Sequence, residues 1–220
     1  WYMGDGTVVS LVSHNYSYPR SGDYTISVVA YKNDKRDSTT KLVKVTKPAV
    51  ILHTQEAIFK DVVWDEGIHE IEGFVSVVEG TLTIPPGTTI LMRPGASFQV
   101  GTQSPSGLIA VGTAEKPITF TSSLASPTPG SWNHVIVGQY KTQATFKHCI
   151  FEYGGSGPYS AMMVAQYAAS FSAENCTFRK ATNNAILLRD LSFFDLFQNN
   201  IISDIQGYAI KMNPFKVPTI

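Results

Sequence analysis

Three similar stretches in the second half of this 220-residue chain decide its fold: Ser160-Ala161-Met162-Met163-Val164, Asn184-Ala185-Ile186-Leu187-Leu188 and Tyr208-Ala209-Ile210-Lys211-Met212. Their alanines, at positions 161, 185 and 209, recur at a constant interval. A second register agrees, because Asn175-Cys176-Thr177-Phe178 and Asn199-Asn200-Ile201-Ile202 are separated by the same interval. A period of this length, built from short β-type runs between Gly, Asn and Ser turns, is typical of one coil of a parallel β-helix.

The same pattern extends toward the N-terminus with small insertions. His148-Cys149-Ile150-Phe151 precedes the Asn175 row by a slightly longer interval, and the excess falls in the turn from Gly154 to Pro158. His134-Val135-Ile136-Val137 precedes the Ala161 row by that same longer interval. Alternation and turn residues predict four earlier strands: 74–78, 81–84, 89–92 and 97–100. Residues 69–213 are therefore predicted to form stacked parallel strands that follow a right-handed path.

The first 47 residues show a different pattern. Tyr24, Ile26 and Val28 alternate with other residues as in a half-buried strand, and Lys41–Val45 predicts a second strand after a polar turn at 33–37. Gly4-Asp5-Gly6 is a tight-turn signal, because Gly supplies positive φ and the Asp carboxylate accepts backbone N–H bonds. We favour this turn-capping role for Asp5 over that of a Ca²⁺ ligand, since no second acidic residue is adjacent.

This N-terminal pattern resembles the PKD domain family. The motifs W-x-F-G-D-G, H-x-Y and G-x-Y-T-V of that family are similar, in the same order, to Trp1-Tyr2-Met3-Gly4-Asp5-Gly6, His14-Asn15-Tyr16 and Gly22-Asp23-Tyr24-Thr25-Ile26. The resemblance implies that residues 1–47 are the C-terminal part of a PKD-like β-sandwich. It also implies a spacer or a protein- and glycan-facing module of an exported protein, and not a catalyst.

A second resemblance covers residues 69–213. Bacterial right-handed β-helix proteins of the pectate-lyase-like fold are similar in Gly80-Thr81-Leu82-Thr83-Ile84, in Leu108–Thr113, in Pro117–Ser122 and in Gly130-Ser131-Trp132. Together the resemblances imply an all-β chain: a partial PKD-like β-sandwich at 1–47, then the N-terminal cap and first coils of a right-handed single-stranded parallel β-helix at 48–220. The β-helix family includes lyases, hydrolases, adhesins and proteins of no assigned activity, so it indicates fold rather than function.

Alternation within the Ala161 row assigns side chains to the two faces of its strand. We expect inward columns formed by Val135/Val137, Met162/Val164, Ile186/Leu188 and Ile210/Met212. The outer row then contains His134/Ile136, Ala161/Met163/Ala165, Ala185/Leu187/Arg189 and Ala209/Lys211/Asn213. From this row we take four candidate ligand-facing residues: Arg189, Lys211, Asn213 and His134. Arg189 and Lys211 would form either a basic patch for a uronate or sulfate, or ordinary solvated surface charge.

The predicted outer row contains no Asp or Glu. The β-helix resemblance implies what an enzyme would need there: pectate lyases cluster acidic Ca²⁺ ligands with a basic catalytic residue, and β-helix glycosidases pair two carboxylates. We therefore predict no catalytic residue, no cofactor and no metal within these residues. The leading hypothesis is a non-catalytic module that presents a β-helix face to a glycan or protein. The alternative is a polysaccharide lyase or glycoside hydrolase whose catalytic coils lie beyond Ile220.

Two further pairs of equivalent residues carry predictions. For Asn175 and Asn199, the alternatives are a ligand contact and an asparagine ladder whose amides bond from coil to coil, and we favour the ladder. Cys149 and Cys176 follow equivalent turn residues and should point into the same interior column. Parallel strands hold their Cα–Cβ bonds side by side, so we predict free thiols rather than a disulfide. Most aromatic residues, Trp64 and Trp132 among them, are expected to cap coils or fill the core rather than stack on sugars.

Bulk properties exclude several classes of protein. Lys and Arg (17) balance Asp and Glu (17), so no net field would collect nucleic acid. No run reaches the roughly 18 apolar residues that a spanning helix needs. We expect an extracellular or cell-surface protein whose partner is a polysaccharide or a surface protein; the oligomeric state is left open. The chain opens at Trp1, and we expect further coils to follow Ile220.

Overall fold

The computed structural model of the chain describes residues 1–13, 15–16, 22–45, 49–101, 103–138 and 141–212. Its regular elements are all β-strands, as predicted. Contacts divide the chain into two compact units, Trp1–Ala49 and Val50–Ile220. His14 of the PKD-like motif, the candidate site residue Asn213 and the final stretch from Pro214 lie outside the described residues.

The first unit is built on one hairpin. Strands β1 (Gly22–Lys32) and β2 (Lys35–Val45) pair antiparallel along their whole length. The turn between them is shorter than the predicted one at 33–37, because two residues suffice when Asn33 adopts a left-handed φ of 53°. Asp5 caps its turn as expected, since its carboxylate accepts the backbone N–H of Thr7 at 3.0 Å and the hydroxyl of Tyr16 at 2.6 Å.

The second unit contains eighteen short strands. The first six are β3 (Val50–Ile58), β4 (Val62–Val63), β5 (Ile68–Val77), β6 (Thr81–Ile84), β7 (Thr89–Met92) and β8 (Ser97–Val100). The next six are β9 (Gly107–Val111), β10 (Ile118–Ser122), β11 (His134–Val137), β12 (Gln143–Lys147), β13 (Cys149–Glu152) and β14 (Ala161–Ala165). The last six are β15 (Ser170–Glu174), β16 (Thr177–Arg179), β17 (Asn184–Leu188), β18 (Phe193–Gln198), β19 (Ile201–Ser203) and β20 (Ile210–Met212).

These strands stack in parallel on three faces, and each coil contributes one strand to each face. Face A stacks β5, β7, β10, β13, β16 and β19 in that order, and face C stacks β4, β6, β9, β12, β15 and β18. Face B stacks β5, β8, β11, β14, β17 and β20. Strand β5 serves two faces, because its first half pairs with β7 and its second half with β8. The parallel β-helix predicted from the repeat is thus confirmed, while its right-handed path stays a prediction.

The predicted register holds in most coils but is shifted by a single position on face B. The constant interval seen in the alanines joins β17 to β20 and β16 to β19, and the longer interval joins β13 to β16. On face B, however, Val135 pairs with Met163 rather than with Met162, and Met163 then pairs with Ile186. The interval from β11 to β14 is therefore one residue longer than predicted, and the interval from β14 to β17 is one residue shorter. The two differences cancel between β11 and β17, so the alignment of the alanines did not reveal them.

This shift corrects the face assignment of β14. Met163 and Ala165 belong to the main core, although they were predicted to face outward. Val164 was predicted to face inward, but it packs with Ile136 and Leu187 on the outer side of face B. Ala161 pairs with Asn184 instead of stacking on Ala185.

The interior is filled by columns of like residues. Phe120, Phe151 and Phe178 stack face to face, with ring centroids 4.7 and 5.0 Å apart. Cys149 and Cys176 are buried free thiols at the start of neighbouring coils, which confirms the thiol prediction. Parallel strands bring identical interior positions to about 4.8 Å of one another, so each coil buries its apolar residues against the next.

Candidate functional site

The outer side of face B carries a compact apolar patch. Ile136, Ala161, Val164 and Leu187 are buried together, and Tyr159 packs against them. We call these five residues the outer cluster. Ile136, Val164 and Leu187 occupy paired positions in successive coils, so the cluster forms a floor that runs across β11, β14 and β17. Buried apolar residues outside the barrel distinguish this part of face B from an ordinary solvated strand surface.

His134 lies at the start of β11, beside this floor. Only 5% of its surface is exposed, and its Nδ1 has no hydrogen-bond partner. Burial lowers the pKa of His134 to about 4, because the charged imidazolium loses its hydration there. His134 is therefore a neutral imidazole at physiological pH, and its Nδ1 is a buried polar atom without a hydrogen-bond partner.

Tyr159 connects His134 to Arg189. The Tyr159 ring meets the His134 ring edge to face, with centroids 5.0 Å apart. The Arg189 guanidinium lies over the same ring, 5.7 Å from its centroid. Arg189 Nε is 3.1 Å from the Asp190 carboxylate without forming a hydrogen bond to it, so this contact is electrostatic only. The guanidinium thus keeps its hydrogen-bonding capacity at Nε while its charge is partly offset.

The other predicted ligand-facing residues are more peripheral. Lys211 pairs with Leu187 in the last strand of face B and is exposed, so it lies beside the floor. Gln166, which sequence reasoning missed, follows Ala165 directly, and Ala165 pairs with Leu188, the residue before Arg189. Gln166 and Arg189 therefore hold equivalent positions in successive coils. The buried Oε1 of Gln166 has no hydrogen-bond partner.

The strands of this face carry hydrogen-bonding and apolar side chains. Strands β8, β11, β14, β17 and β20 carry no carboxylate. Asp190 lies in the turn after β17 and faces Arg189. The partly exposed Tyr159 ring and Arg189 guanidinium lie beside the buried floor and place an aromatic surface next to a cation.

The asparagine ladder predicted for Asn175 and Asn199 is wrong. No hydrogen bond of the described residues joins these two amides; instead, each residue adopts a left-handed φ of 54° at its turn. The coil-to-coil bonding falls to Asn200, whose Oδ1 accepts the Cys176 N–H at 2.9 Å and whose Nδ2 donates to the Ala173 carbonyl at 2.8 Å. The turn explains why the two positions differ. Its first residue has a left-handed backbone, which favours Asn, and its next residue points inward, where it can bond the neighbouring coil.

The aromatic residues follow the expectation in part. Trp132 is fully buried and donates its indole N–H to the Glu152 carbonyl at 2.8 Å, and Trp64 is buried in the first coil. Trp64 is part of a second cluster, with His53, His69 and Glu56, that sequence reasoning missed. His53 and His69 are separated in sequence, so their contact could be predicted only from the pairing of β3 with β5.

Neither a metal centre nor a helical membrane span is found in the part of the chain that the structure describes. No three His, Cys, Asp or Glu side chains come together there as metal ligands would. Within the same residues, no helix is long and apolar enough to cross a membrane.

Comparison with known proteins agrees with the architecture. The family described as "Pectate-lyase like beta helix domain" matches residues 56–206, about two thirds of the chain. No curated protein and no solved structure matches. The matched segment runs from the end of β3 to the turn before β20, so it contains the coils of all three faces. The chain therefore belongs to the family of pectate-lyase like beta helix domains.

Proposed function

We propose that this β-helix is a non-catalytic carbohydrate-binding module that binds a glycan on the outer side of face B. The observation that carries the proposal is the row His134–Tyr159–Arg189 beside the outer cluster. The row combines an aromatic ring with polar groups that the protein leaves without hydrogen-bond partners.

A sugar ring fits such a surface for a chemical reason. Its C–H faces pack on aromatic and aliphatic side chains, and its hydroxyls both donate and accept hydrogen bonds. The partly exposed Arg189 side chain and the exposed Lys211 would meet those hydroxyls. Stacked coils repeat the strand spacing along the face, which suits an extended chain of sugars.

Binding without cleavage is supported by the residues that the face presents. Hydrolysis by a glycosidase requires two carboxylates on either side of the scissile bond, and a Ca²⁺-dependent lyase requires clustered acidic ligands. The face B strands from β8 to β20 present Ser, Gln, His, Asn, Lys and apolar residues. The polysaccharide lyase or hydrolase remains the competing hypothesis and is addressed by an activity assay below.

The cellular setting belongs to the same proposal. We infer that the protein acts outside a bacterial cell or on its surface, where a polysaccharide or a surface protein would be its partner. The PKD-like motifs of residues 1–47 support this inference, because that resemblance implies a spacer or a protein- and glycan-facing module of an exported protein. Protease accessibility on intact cells of the source organism is the test.

The binding experiment uses the intact protein on an array of neutral and acidic glycans, followed by calorimetric titration of the best ligand. Tyr159→Ala should weaken binding at least tenfold, because the ring is in contact with both His134 and the outer cluster. Tyr167→Ala is the matched control, since Tyr167 is 53% exposed in the turn after β14, and its affinity should equal that of the wild type.

Two outcomes would overturn the proposal. Equal losses for the two tyrosine variants, or binding to no glycan on the array, would remove the assignment of carbohydrate binding to face B. Release of new reducing ends or of unsaturated oligosaccharides from a bound polysaccharide would show that the module is an enzyme.

A further inference from the structure

Three aromatic side chains of the first coil form a buried stack that the proposed function does not use. His53 in β3 and His69 in β5 are 7% and 1% exposed. A 2.8 Å hydrogen bond joins His53 Nε2 to His69 Nδ1, and the ring planes differ by 14°, so the imidazoles lie side by side in one plane. The Trp64 indole lies flat over both, 4.4 Å from His53 and 4.3 Å from His69 between ring centroids.

The hydrogen bonds run through both imidazoles in a single chain. His69 Nε2 lies 3.0 Å from the Asp65 carbonyl, which only accepts, so Nε2 carries a proton. A neutral His69 then accepts at Nδ1, and His53 must donate from Nε2. At the far end His53 Nδ1 is in hydrogen-bonding contact with the Glu56 carboxylate.

This arrangement leaves no place for a second proton on His69. A proton on His69 Nδ1 would confront the N–H of His53, so the central hydrogen bond would be lost. The charged groups that face His69 are His53, Glu56 and Asp65. Burial is the main reason why the pKa of His69 lies below its usual value of 6.5, with repulsion from His53 acting in the same direction and the bond to Asp65 opposing it.

The hydrogen bonds between Glu56, His53 and His69 lie where their loss would detach strand β3. Strand β3 pairs only with β5 among the described strands, so the His53–His69 bond is a side-chain link across the one ladder that holds β3. Trp64 also packs edge-on against Phe98 at 6.0 Å, which connects the stack to the main core. Breaking the stack would free one edge of β5 and leave that end of the core open.

We propose that the Glu56–His53–His69 chain is an acid-sensitive latch that holds the first coil closed at neutral pH and releases β3 when His69 binds a proton. Because the closed state resists that proton, its stability is complete above pH 6.5 and declines as the pH falls below it. Release is local, since the coils beyond β8 hold together by their own ladders.

Hydrogen exchange of the full 220-residue chain, followed by mass spectrometry from pH 7.5 to 5, tests the latch. Exchange rates are corrected for the intrinsic pH dependence of amide exchange and expressed as protection factors. In the wild type the protection of β3 should fall by up to about tenfold per pH unit below 6.5, because opening binds one proton. The pH dependence of protection in β12 and β15 should be the same in the wild type and in a His69→Gln variant.

Variants separate the latch from general acid sensitivity. His69→Gln keeps a donor and an acceptor but cannot be protonated, so its β3 protection should be independent of pH. His134→Gln, the matched change at the other buried histidine, should keep the wild-type profile of β3. If His69→Gln does not fold, His69→Asn replaces it, with the same expected loss of pH dependence in β3.

The outcomes are distinct from those of the glycan experiment. A wild-type β3 whose protection does not change between pH 7.5 and 5 would overturn the latch. The latch would also be overturned if His69→Gln, or His69→Asn in its place, kept the wild-type pH profile of β3. A β3 profile that became flat in His134→Gln would overturn it as well. None of these results bears on carbohydrate binding at face B.

Discussion

Three equivalent turns place a residue in the left-handed region of the backbone, just before a face A strand. His148, Asn175 and Asn199 have φ values of 47°, 54° and 54°. Asn tolerates this conformation better than most side chains, which accounts for its presence at two of the three turns. The turn residue is therefore chosen for its backbone conformation. The residue after it, such as Asn200, points inward and forms hydrogen bonds between neighbouring coils.

The two cysteines should behave as protected thiols. Burial raises the pKa of the Cys149 thiol well above its usual value, so little thiolate forms there. The contact with Cys149 lowers the pKa of the Cys176 thiol, and burial of that side chain keeps reagents away from it. We expect two thiols per chain to react with an aromatic disulfide reagent in denaturant, and neither to react promptly in the folded protein.

A variant with one added thiol calibrates this measurement. Thr145 is exposed on β12, so Thr145→Cys should react at once in the folded state and raise the denatured count to three. Fewer than two thiols in denatured wild-type protein would reveal a disulfide and contradict the interpretation of the column.

His134 should make the folded state sensitive to acid. Its pKa is about 4 in the folded protein against 6.5 as the usual value, so the unfolded chain binds the proton first as the pH falls. The stability that depends on neutral His134 is complete above pH 6.5 and is lost on the way to about pH 4. At about 1.36 kcal/mol per pKa unit, this loss is about 3 kcal/mol.

Urea denaturation at pH 7, 5.5 and 4 measures this loss. His134→Gln should remove about 3 kcal/mol of the fall in unfolding free energy between pH 7 and 4, because glutamine does not titrate. An unchanged pH dependence in the variant would contradict the assigned pKa.

Among the elements, the stacked face A strands should contribute most to stability through their interior column. Phe151 in β13 is fully buried between Phe120 and Phe178. Phe151→Ala should lower the free energy of unfolding by about 3–5 kcal/mol, because it removes a large buried ring and leaves a cavity. Chemical denaturation followed by circular dichroism measures this change.

The same substitution at an exposed phenylalanine is the control. Phe193 begins β18 and is 51% exposed, so Phe193→Ala should cost no more than about 1 kcal/mol. Comparable losses for the two variants would mean that the column does not carry the stability assigned to it.

The strands themselves follow from local sequence, whereas the pairing on face B does not. Alternation and turn residues at Gly80, Gly87 and Gly95 located β6, β7 and β8, and all three glycines have positive φ. The unequal intervals on either side of β14 were not visible, because turns absorb insertions without a periodic signal. The faces of Met163 and Val164 were consequently reversed.

For the whole molecule, the solenoid predicts a gradient of stability along the coils. A coil is more stable when its strands pair on both sides, and among the described strands β18, β19 and β20 each pair on one side. In these three strands Phe193, Leu196, Ile201, Ile210 and Met212 are exposed. We expect amide protection at pH 7.5 to be highest in β10 to β15 and lowest in β18 to β20.

Native-state hydrogen exchange of the full chain measures this gradient in a single experiment. Protection in β18 to β20 equal to that in β12 would contradict nearest-neighbour stability and indicate that all coils unfold together. A ligand bound on face B should raise protection in β11, β14 and β17, and so the same measurement can locate the glycan site.

The sequence by itself determined that this protein is a stack of parallel β coils, because strand length, alternation and turn residues are local properties repeated once in every coil. It also indicated His134 and Arg189 as outward-facing polar residues. Only the tertiary structure decided that Tyr159 joins them, that Val164 completes the floor, and that His53 meets His69 beneath Trp64. These contacts depend on how each turn offsets one coil against the next, and that offset is set by packing between coils rather than by any short stretch of the chain.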